Sequence, residues 1–169
     1  MLNGIKTMQA SAQLLDSLDE AFDRKSWHGT TLLGSVRGLT AQAAAKRPAP
    51  RRHNIWELTL HAAYWKYVVW RRLTGAARGS FPLDGSNFFE RPADRTAAAW
   101  RRDLRLLDAV HRDLRAAVAA TRPRDLGVRL PGSRVTRLRL ITGAAAHDIY
   151  HAGQIQLLKK LYKRRRAGH

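Results

Sequence analysis

One stretch of the sequence, residues 54–75 (NIWELTLHAAYWKYVVWRRLTG), decides the class of fold. Asn54 is a favourable N-cap, and Glu57 follows at the spacing of a capping box. Apolar residues then recur every three or four positions, which is the period of an amphipathic helix, and Gly75 ends the pattern. The predicted buried seam consists of Ile55, Leu58, Ala62, Trp65 and Val69. The stretch is therefore predicted to be one long helix with an apolar face that needs a partner.

Most of the remaining chain has the same helical period, and strand patterns are almost missing. The other predicted helices have approximate bounds of 6–27, 94–122 and 136–163 for the long ones, and 32–37 and 40–46 for the short ones. A connection rich in Gly and Pro follows the second long helix over residues 75–93. Pro123 is expected to end the third long helix.

These elements predict an all-α fold, specifically a four-helix bundle with short extra helices between the first and second long helices. The chain has 169 residues and no internal repeat, so we expect a single domain over residues 1–169. The basic tail, residues 163–169, is expected to be frayed and solvated.

Composition excludes several classes of function. The chain has no cysteine, which excludes disulfides, thiolate metal sites and a cysteine nucleophile. Its net charge of +18 is spread over the whole length, which predicts nonspecific affinity for nucleic acids more than a base-reading module. No apolar run is long enough for a membrane span, and the first residues do not have the pattern of a signal peptide, so a cytoplasmic location is expected.

Three histidines form the candidate site. His147 and His151 are four residues apart on the apolar face of the last helix, so their side chains project from the same side. Glycines and alanines surround this pair, and His61 lies beside the seam of the second long helix. Three imidazoles from two helices would hold a metal with open coordination positions. The alternative is that each histidine is a core residue hydrogen-bonded to a carbonyl; His111 is a weaker candidate for a fourth ligand.

Other polar residues near the pair are candidates for supporting roles. Asp148 points about 100° away from His147 around the helix, so we expect it to be a partner of a ligand or of another helix. Tyr150 and Gln154 follow the two ligands by three residues each and could hydrogen-bond a bound water or substrate. Glu57, besides its capping role, could support His61 from the same helix.

Several segments resemble the DinB/YfiT-like superfamily. Residues 147–155 (HDIYHAGQI) and 53–61 (HNIWELTLH) are similar to two of its signatures, and residues 26–29 (SWHG) and Trp100 are similar to features of one branch. The resemblance implies a four-helix bundle, a homodimer, and a divalent metal, nickel or zinc, on His61, His147 and His151. Characterised relatives include S-transferases and isomerases that use a low-molecular-weight thiol such as bacillithiol or mycothiol.

The leading hypothesis is therefore a metal-dependent hydrolase or thiol S-transferase that acts on a small-molecule substrate. In this hypothesis, Asp148, Tyr150 and Gln154 lie close to the reacting groups. One alternative is a metal-binding bundle associated with stress that has no catalytic activity. The other is a basic module that binds nucleic acid.

Overall fold

The structure is a computed structural model that describes residues 2–89 and 94–167. These residues form six α-helices and no strand: α1 Leu2–Phe22, α2 Leu32–Val36, α3 Ala41–Ala45, α4 Ile55–Thr74, α5 Ala97–Ala119 and α6 Arg137–Ala167. A single 3-10 turn, Pro123–Asp125, lies between α5 and α6. The all-α class predicted from the helical period is confirmed.

Helix α4 begins with the capping box that the sequence predicts. The Asn54 side chain accepts a hydrogen bond from the Glu57 backbone N–H at 2.8 Å, and the Glu57 carboxylate accepts one from the Asn54 N–H at 3.2 Å. Gly75 ends the helix with a φ of 77°, a left-handed conformation that glycine adopts without strain. Local sequence signals therefore define both ends of this helix.

The predicted seam of α4 was wrong at one position, Trp65. The other four seam residues are buried, whereas Trp65 is 37% exposed. Its indole N–H donates to Oδ1 of Asn87 at 3.0 Å, in the loop that follows α4. A tryptophan is stable at such a partly exposed position because its indole N–H has a hydrogen-bond partner and most of its apolar surface is buried.

The predicted end of the first long helix also differs from the structure. Helix α1 ends at Phe22, five residues before the predicted end, because the Asp19 carbonyl accepts the N–H groups of both Asp23 and Arg24 as the chain turns away. Trp27 consequently lies outside the helix and is 97% exposed. Helix α5 begins after the Thr96 cap, close to the predicted start.

Helix α6 is longer than predicted. It continues to Ala167, four residues past the predicted end at 163, and residues 168–169 lie outside the described part. The expectation that the tail over residues 163–169 is frayed and solvated stays a prediction. Lysine and arginine are good helix formers and are favourable near a helix C-terminus. Contacts earlier in the helix also hold it in place, since Lys159 Nζ donates to the Ser35 carbonyl at 2.8 Å.

The four long helices pack in a closed order. Helix α1 packs against α5 and α6, and α4 packs against the same two helices, while α2 covers α6 and α3 covers α4. Core residues fill the space between them; Trp56 is fully buried and donates its indole N–H to Asp103 at 2.8 Å. Helices α4 and α6 run side by side in opposite directions. This contact brings the second long helix to the histidine pair.

No helix of the described residues is both long and apolar enough to cross a membrane.

Candidate metal centre

The three predicted histidines meet at the contact between α4 and α6. Nε2 of His147 lies 3.1 Å from Nε2 of His61 and 3.1 Å from Nε2 of His151. Within the described residues, these three histidines form the group of side chains whose ligand atoms could hold a metal ion. Their ligand atoms all lie within 4.8 Å of one another. The structure thus brings together residues that are 86 positions apart in the sequence.

Two of the three separations between the histidine Nε2 atoms fit a common metal ion. Imidazole nitrogens bind zinc at about 2.0–2.1 Å, so two of them that subtend 90–110° at the ion lie about 2.9–3.4 Å apart. The two measured separations of 3.1 Å fall inside this range. Three ligands from two helices occupy one side of an ion and leave positions for other ligands.

Hydrogen bonds at the far side of two rings favour the ligand form of the imidazole. Nδ1 of His61 lies 2.9 Å from the Asn87 backbone oxygen, and Nδ1 of His151 lies 2.7 Å from Oε1 of Gln154. An oxygen acceptor requires that Nδ1 carries the proton, which leaves the lone pair on Nε2. Partners of this kind fix the ring orientation of metal-binding histidines. The donor set therefore fits a divalent cation.

Burial lowers the pKa of all three imidazoles, which favours their neutral form at physiological pH. Burial lowers the pKa of His147 to about 3, and the neighbouring His151 and His61 add to the shift. Burial likewise lowers the pKa of His151 to about 4 and is the main cause of the lowered pKa of His61. Protons consequently compete weakly with a metal for these nitrogens near neutral pH.

The loop after α4 forms a wall of the site, which the sequence analysis missed. Phe88 stacks between His53 and His61, with ring centroids 3.7 Å and 4.1 Å away. Asn87 adopts a left-handed φ of 65° and contacts the site twice, through its backbone oxygen to His61 and through its side chain to Trp65. The signal that could have revealed this loop is the Asn-Phe-Phe run at 87–89 within an otherwise turn-rich segment.

The three polar residues predicted beside the ligands have different positions. Gln154 contacts His151 directly, as described above. Tyr150 is 63% exposed, and its ring meets the edge of the His151 ring with centroids 5.0 Å apart. Asp148 is fully buried and forms an ion pair with Lys66 of α4. Burial raises the pKa of the Asp148 carboxyl to about 6, and the Lys66 ammonium opposes that shift.

His111 was wrong as a candidate fourth ligand. Its ring stacks on Phe22 with centroids 3.7 Å apart, and its Nδ1 lies 3.1 Å from Lys66 Nζ. It lies on α5, and its contacts are with Phe22 of α1 and Lys66 of α4 rather than with the histidine pair of α6. The buried Lys66 ammonium thus links His111 to Asp148, and within the described residues none of these three belongs to the group of possible metal ligands.

Glu57 also has a different partner from the one considered. Its carboxylate binds Arg47 with both oxygens and accepts a contact from His53 Nδ1 at 3.2 Å. Phe88 stacks between His53 and His61, so the His53 ring that contacts Glu57 is separated from the ligand by the Phe88 ring. His28 lies in the loop after α1, beside Ser26.

An all-α fold with three convergent imidazoles from two helices defines a candidate metal-binding helical protein. A family model described as the DinB superfamily matches residues 6–155, and the chain belongs to that superfamily. No curated protein and no solved structure matches the chain significantly.

Proposed function

We propose that this protein binds a divalent metal, nickel or zinc, through His61, His147 and His151, and uses it as a hydrolase or thiol S-transferase. The observation that carries the proposal is the convergence of the three histidines, in which Nε2 of His147 lies 3.1 Å from Nε2 of both His61 and His151. In this proposal the four long helices form a four-helix bundle within a single domain, and the metal lies at the contact between α4 and α6.

A divalent cation on three imidazoles would act as a Lewis acid that lowers the pKa of a thiol or water at an open position. The protein residues would then orient the metal ligands and bind the substrate. The Asn87 carbonyl and the Gln154 amide hold the rings of His61 and His151, and Phe88 covers the His61 ring. Tyr150 is exposed beside His151, and its hydroxyl would contact a substrate bound at the open positions of the metal.

Elemental analysis of the untagged protein tests metal binding, since a histidine tag would bind the same metals. We expect about one nickel or zinc per chain, and its loss in His151→Ala. His28→Ala is the matched control, because it removes a histidine outside the three-residue group. A protein without metal, or one in which His151→Ala retains the full content, would contradict the proposal.

Activity is tested separately with the metal-loaded protein. We expect conjugation of a low-molecular-weight thiol to an electrophile, or hydrolysis of an ester or amide, that stops on chelation and returns when metal is added back. Metal binding that stabilises the fold without any such turnover would favour a non-catalytic role. The homodimer and the cytoplasmic location stay predictions; light scattering of the purified protein tests the first.

A further inference from the structure

A cavity of about 160 Å³ lies between α4 and α6 beside the three-histidine group. One end is lined by His147 and Asp148, and the side walls are apolar, formed by Val68, Val69 and Ala144 with neighbouring residues. An engineered apolar cavity of about 150 Å³ is known to accommodate benzene. The cavity therefore has room for a phenyl ring or a short acyl chain.

Two arginines line the other end of the same cavity. Arg72 on α4 is seven residues from Trp65, and Arg139 on α6 is eight residues from His147. With a rise of about 1.5 Å per residue, both positions lie roughly 11 Å along the helices from the histidine end. The two helices run in opposite directions, so both arginines meet at one end.

The guanidinium groups of Arg72 and Arg139 are available to a ligand. Both residues are exposed, and within residues 2–89 and 94–167 neither forms an ion pair with a carboxylate. Arginine presents several N–H donors in a plane and binds carboxylate and phosphate oxygens well. This end of the cavity thus has an uncompensated charge of about +2 next to an apolar interior.

The histidine end has no net charge among its lining side chains, since Lys66 and Asp148 form an ion pair there. Asp148 is fully buried there, with Lys66 bound to its Oδ2, while its Oδ1 has no hydrogen-bond partner. The two charges offset each other and both side chains are buried, so this end presents no free cation to an anion. An anionic group on a ligand is consequently favoured at the arginine end, where the charge is uncompensated, and a neutral group at the histidine end.

From these observations we infer that the cavity binds a small amphipathic anion, with an apolar arm the size of a phenyl ring or short acyl chain in the cavity and a carboxylate or phosphate on Arg72 and Arg139. The inference rests on the proposed function, because it names the substrate class of the same site. Recognition of the anion is nevertheless independent of the metal, since the arginines lie two helical turns from the histidines.

Calorimetry with defined probes tests the inference. The probes are 4-phenylbutyrate, its uncharged amide, and 3-phenylpropyl phosphate, each titrated into metal-free and zinc-loaded protein. We expect the two anions to bind at least about tenfold more tightly than the amide in both forms. The stronger of the two anions identifies the head group. Equal binding of the amide and both anions would overturn the inference.

Charge variants locate the anion. We expect the double variant Arg72→Gln/Arg139→Gln to weaken 4-phenylbutyrate at least about tenfold and to leave the amide unchanged. Arg105→Gln, which removes an exposed arginine of α5 outside the cavity, is the control for net charge. If the control weakens binding as much as the double variant, the attraction is nonspecific and the inference fails.

A cavity-filling variant locates the apolar arm. Gly143 lines the cavity, and a Cβ placed on it would meet no atom within 4 Å, so Gly143→Leu fills the space without a clash at its Cβ. Gly153 on the same helix is equally open and lies outside the cavity, which makes Gly153→Leu the matched control. We expect Gly143→Leu alone to weaken every probe at least about tenfold while the melting temperature is kept. Unchanged binding would overturn the inference.

The comparison of metal-free and zinc-loaded protein separates the two proposals. If the protein binds no metal but still prefers the anions through its arginines, the proposed function fails and the inference stands. If it binds metal, and the anions bind only in the zinc-loaded form and without regard to the arginines, the anion coordinates the metal. In that case the inference fails and the proposed function stands.

Discussion

Nδ1 of His61 donates to the backbone oxygen of Asn87 at 2.9 Å, which ties a candidate metal ligand on α4 to the loop after that helix. The contact depends on the left-handed backbone of Asn87, a conformation that asparagine tolerates and β-branched residues do not. The loop therefore orients the ligand through its backbone.

Substitution of Asn87 is expected to change metal affinity according to how well the new residue adopts the left-handed backbone conformation. Asn87→Val disfavours the left-handed conformation and should lower zinc affinity about tenfold or more, the effect typical of a lost partner of a ligand. Asn87→Gly keeps the conformation and should remain close to the unmodified protein, although both variants lose the hydrogen bond to Trp65. Competition with a chromophoric chelator measures the affinities. Equal affinities for the two variants would show that the loop backbone does not orient His61.

Removal of one partner of the buried ion pair between Lys66 and Asp148 should lower the free energy of unfolding far more than removal of both partners. Lys66→Met leaves the buried Asp148 carboxylate without its cation and is expected to cost about 3–5 kcal/mol of the free energy of unfolding. Lys66→Met/Asp148→Leu removes both charges and should recover most of that loss. Urea denaturation of metal-free protein gives the values. A loss below about 1 kcal/mol in the single variant would mean that the pair behaves like an exposed one.

His111 should make stability fall as the pH is lowered. Burial is the main cause that lowers its pKa from 6.5 to about 3, and the positive charge of Lys66 on α4 is the next, followed by those of Arg115 and Arg112 on its own helix. Asp19 of α1, 3.9 Å from His111 Nε2, acts in the opposite direction. Between pH 6.5 and 3 the unfolded chain binds a proton at His111 that the folded chain does not bind. The contribution of His111 to the free energy of unfolding is therefore fully present above pH 6.5. It is lost as the pH falls, by about 1.4 kcal/mol per pH unit.

His111→Gln isolates this contribution. The amide can still accept a hydrogen bond from Lys66 Nζ but does not titrate. We expect a flatter dependence of unfolding free energy on pH between pH 6.5 and 4 than in the unmodified protein, both measured with chelator present so that the three ligand histidines contribute alike. Identical slopes would contradict the lowered pKa of His111.

Trp65 should report metal binding by fluorescence. Its ring centroid lies 6.3 Å from those of both His61 and His147, whereas Trp27 is almost fully exposed in the loop after α1. Added nickel, a paramagnetic ion, should quench Trp65 emission, and Trp65→Phe should remove that change. Trp27→Phe should retain it. A nickel titration with the same amplitude in Trp65→Phe and the unmodified protein would place the ion elsewhere.

Much of the helical framework follows from short-range signals. Six helices are predicted from the capping residues of α4, the prolines and the spacing of apolar residues. Most of the predicted ends lie within a few residues of the ends in the structure. The errors occur where the helical pattern persists beyond the point at which packing ends, as after Phe22, or where basic residues continue a helix, as after Lys163. Side-chain propensity alone does not distinguish these two cases.

The three histidines could be selected from the sequence because an i, i+4 pair on an apolar face is a local pattern. Their convergence was not local, and neither was the difference between His61 and His111, which both lie on apolar helix faces. The partners that orient the ligands divide in the same way. Gln154 is one turn from His151, while Asn87 reaches His61 from a loop 26 residues away.

The sequence by itself determined the all-α class, the start and end of α4 and the identity of the candidate ligands, because caps and periodicity act within one or two helical turns. Only the tertiary structure decided that His61 meets His147, that Asp148 pairs with Lys66 and that Arg72 and Arg139 share one cavity. These contacts depend on the order in which α4 and α6 pack and on their opposite directions. Packing of this kind results from burial summed over whole helix faces, and no local pattern encodes it.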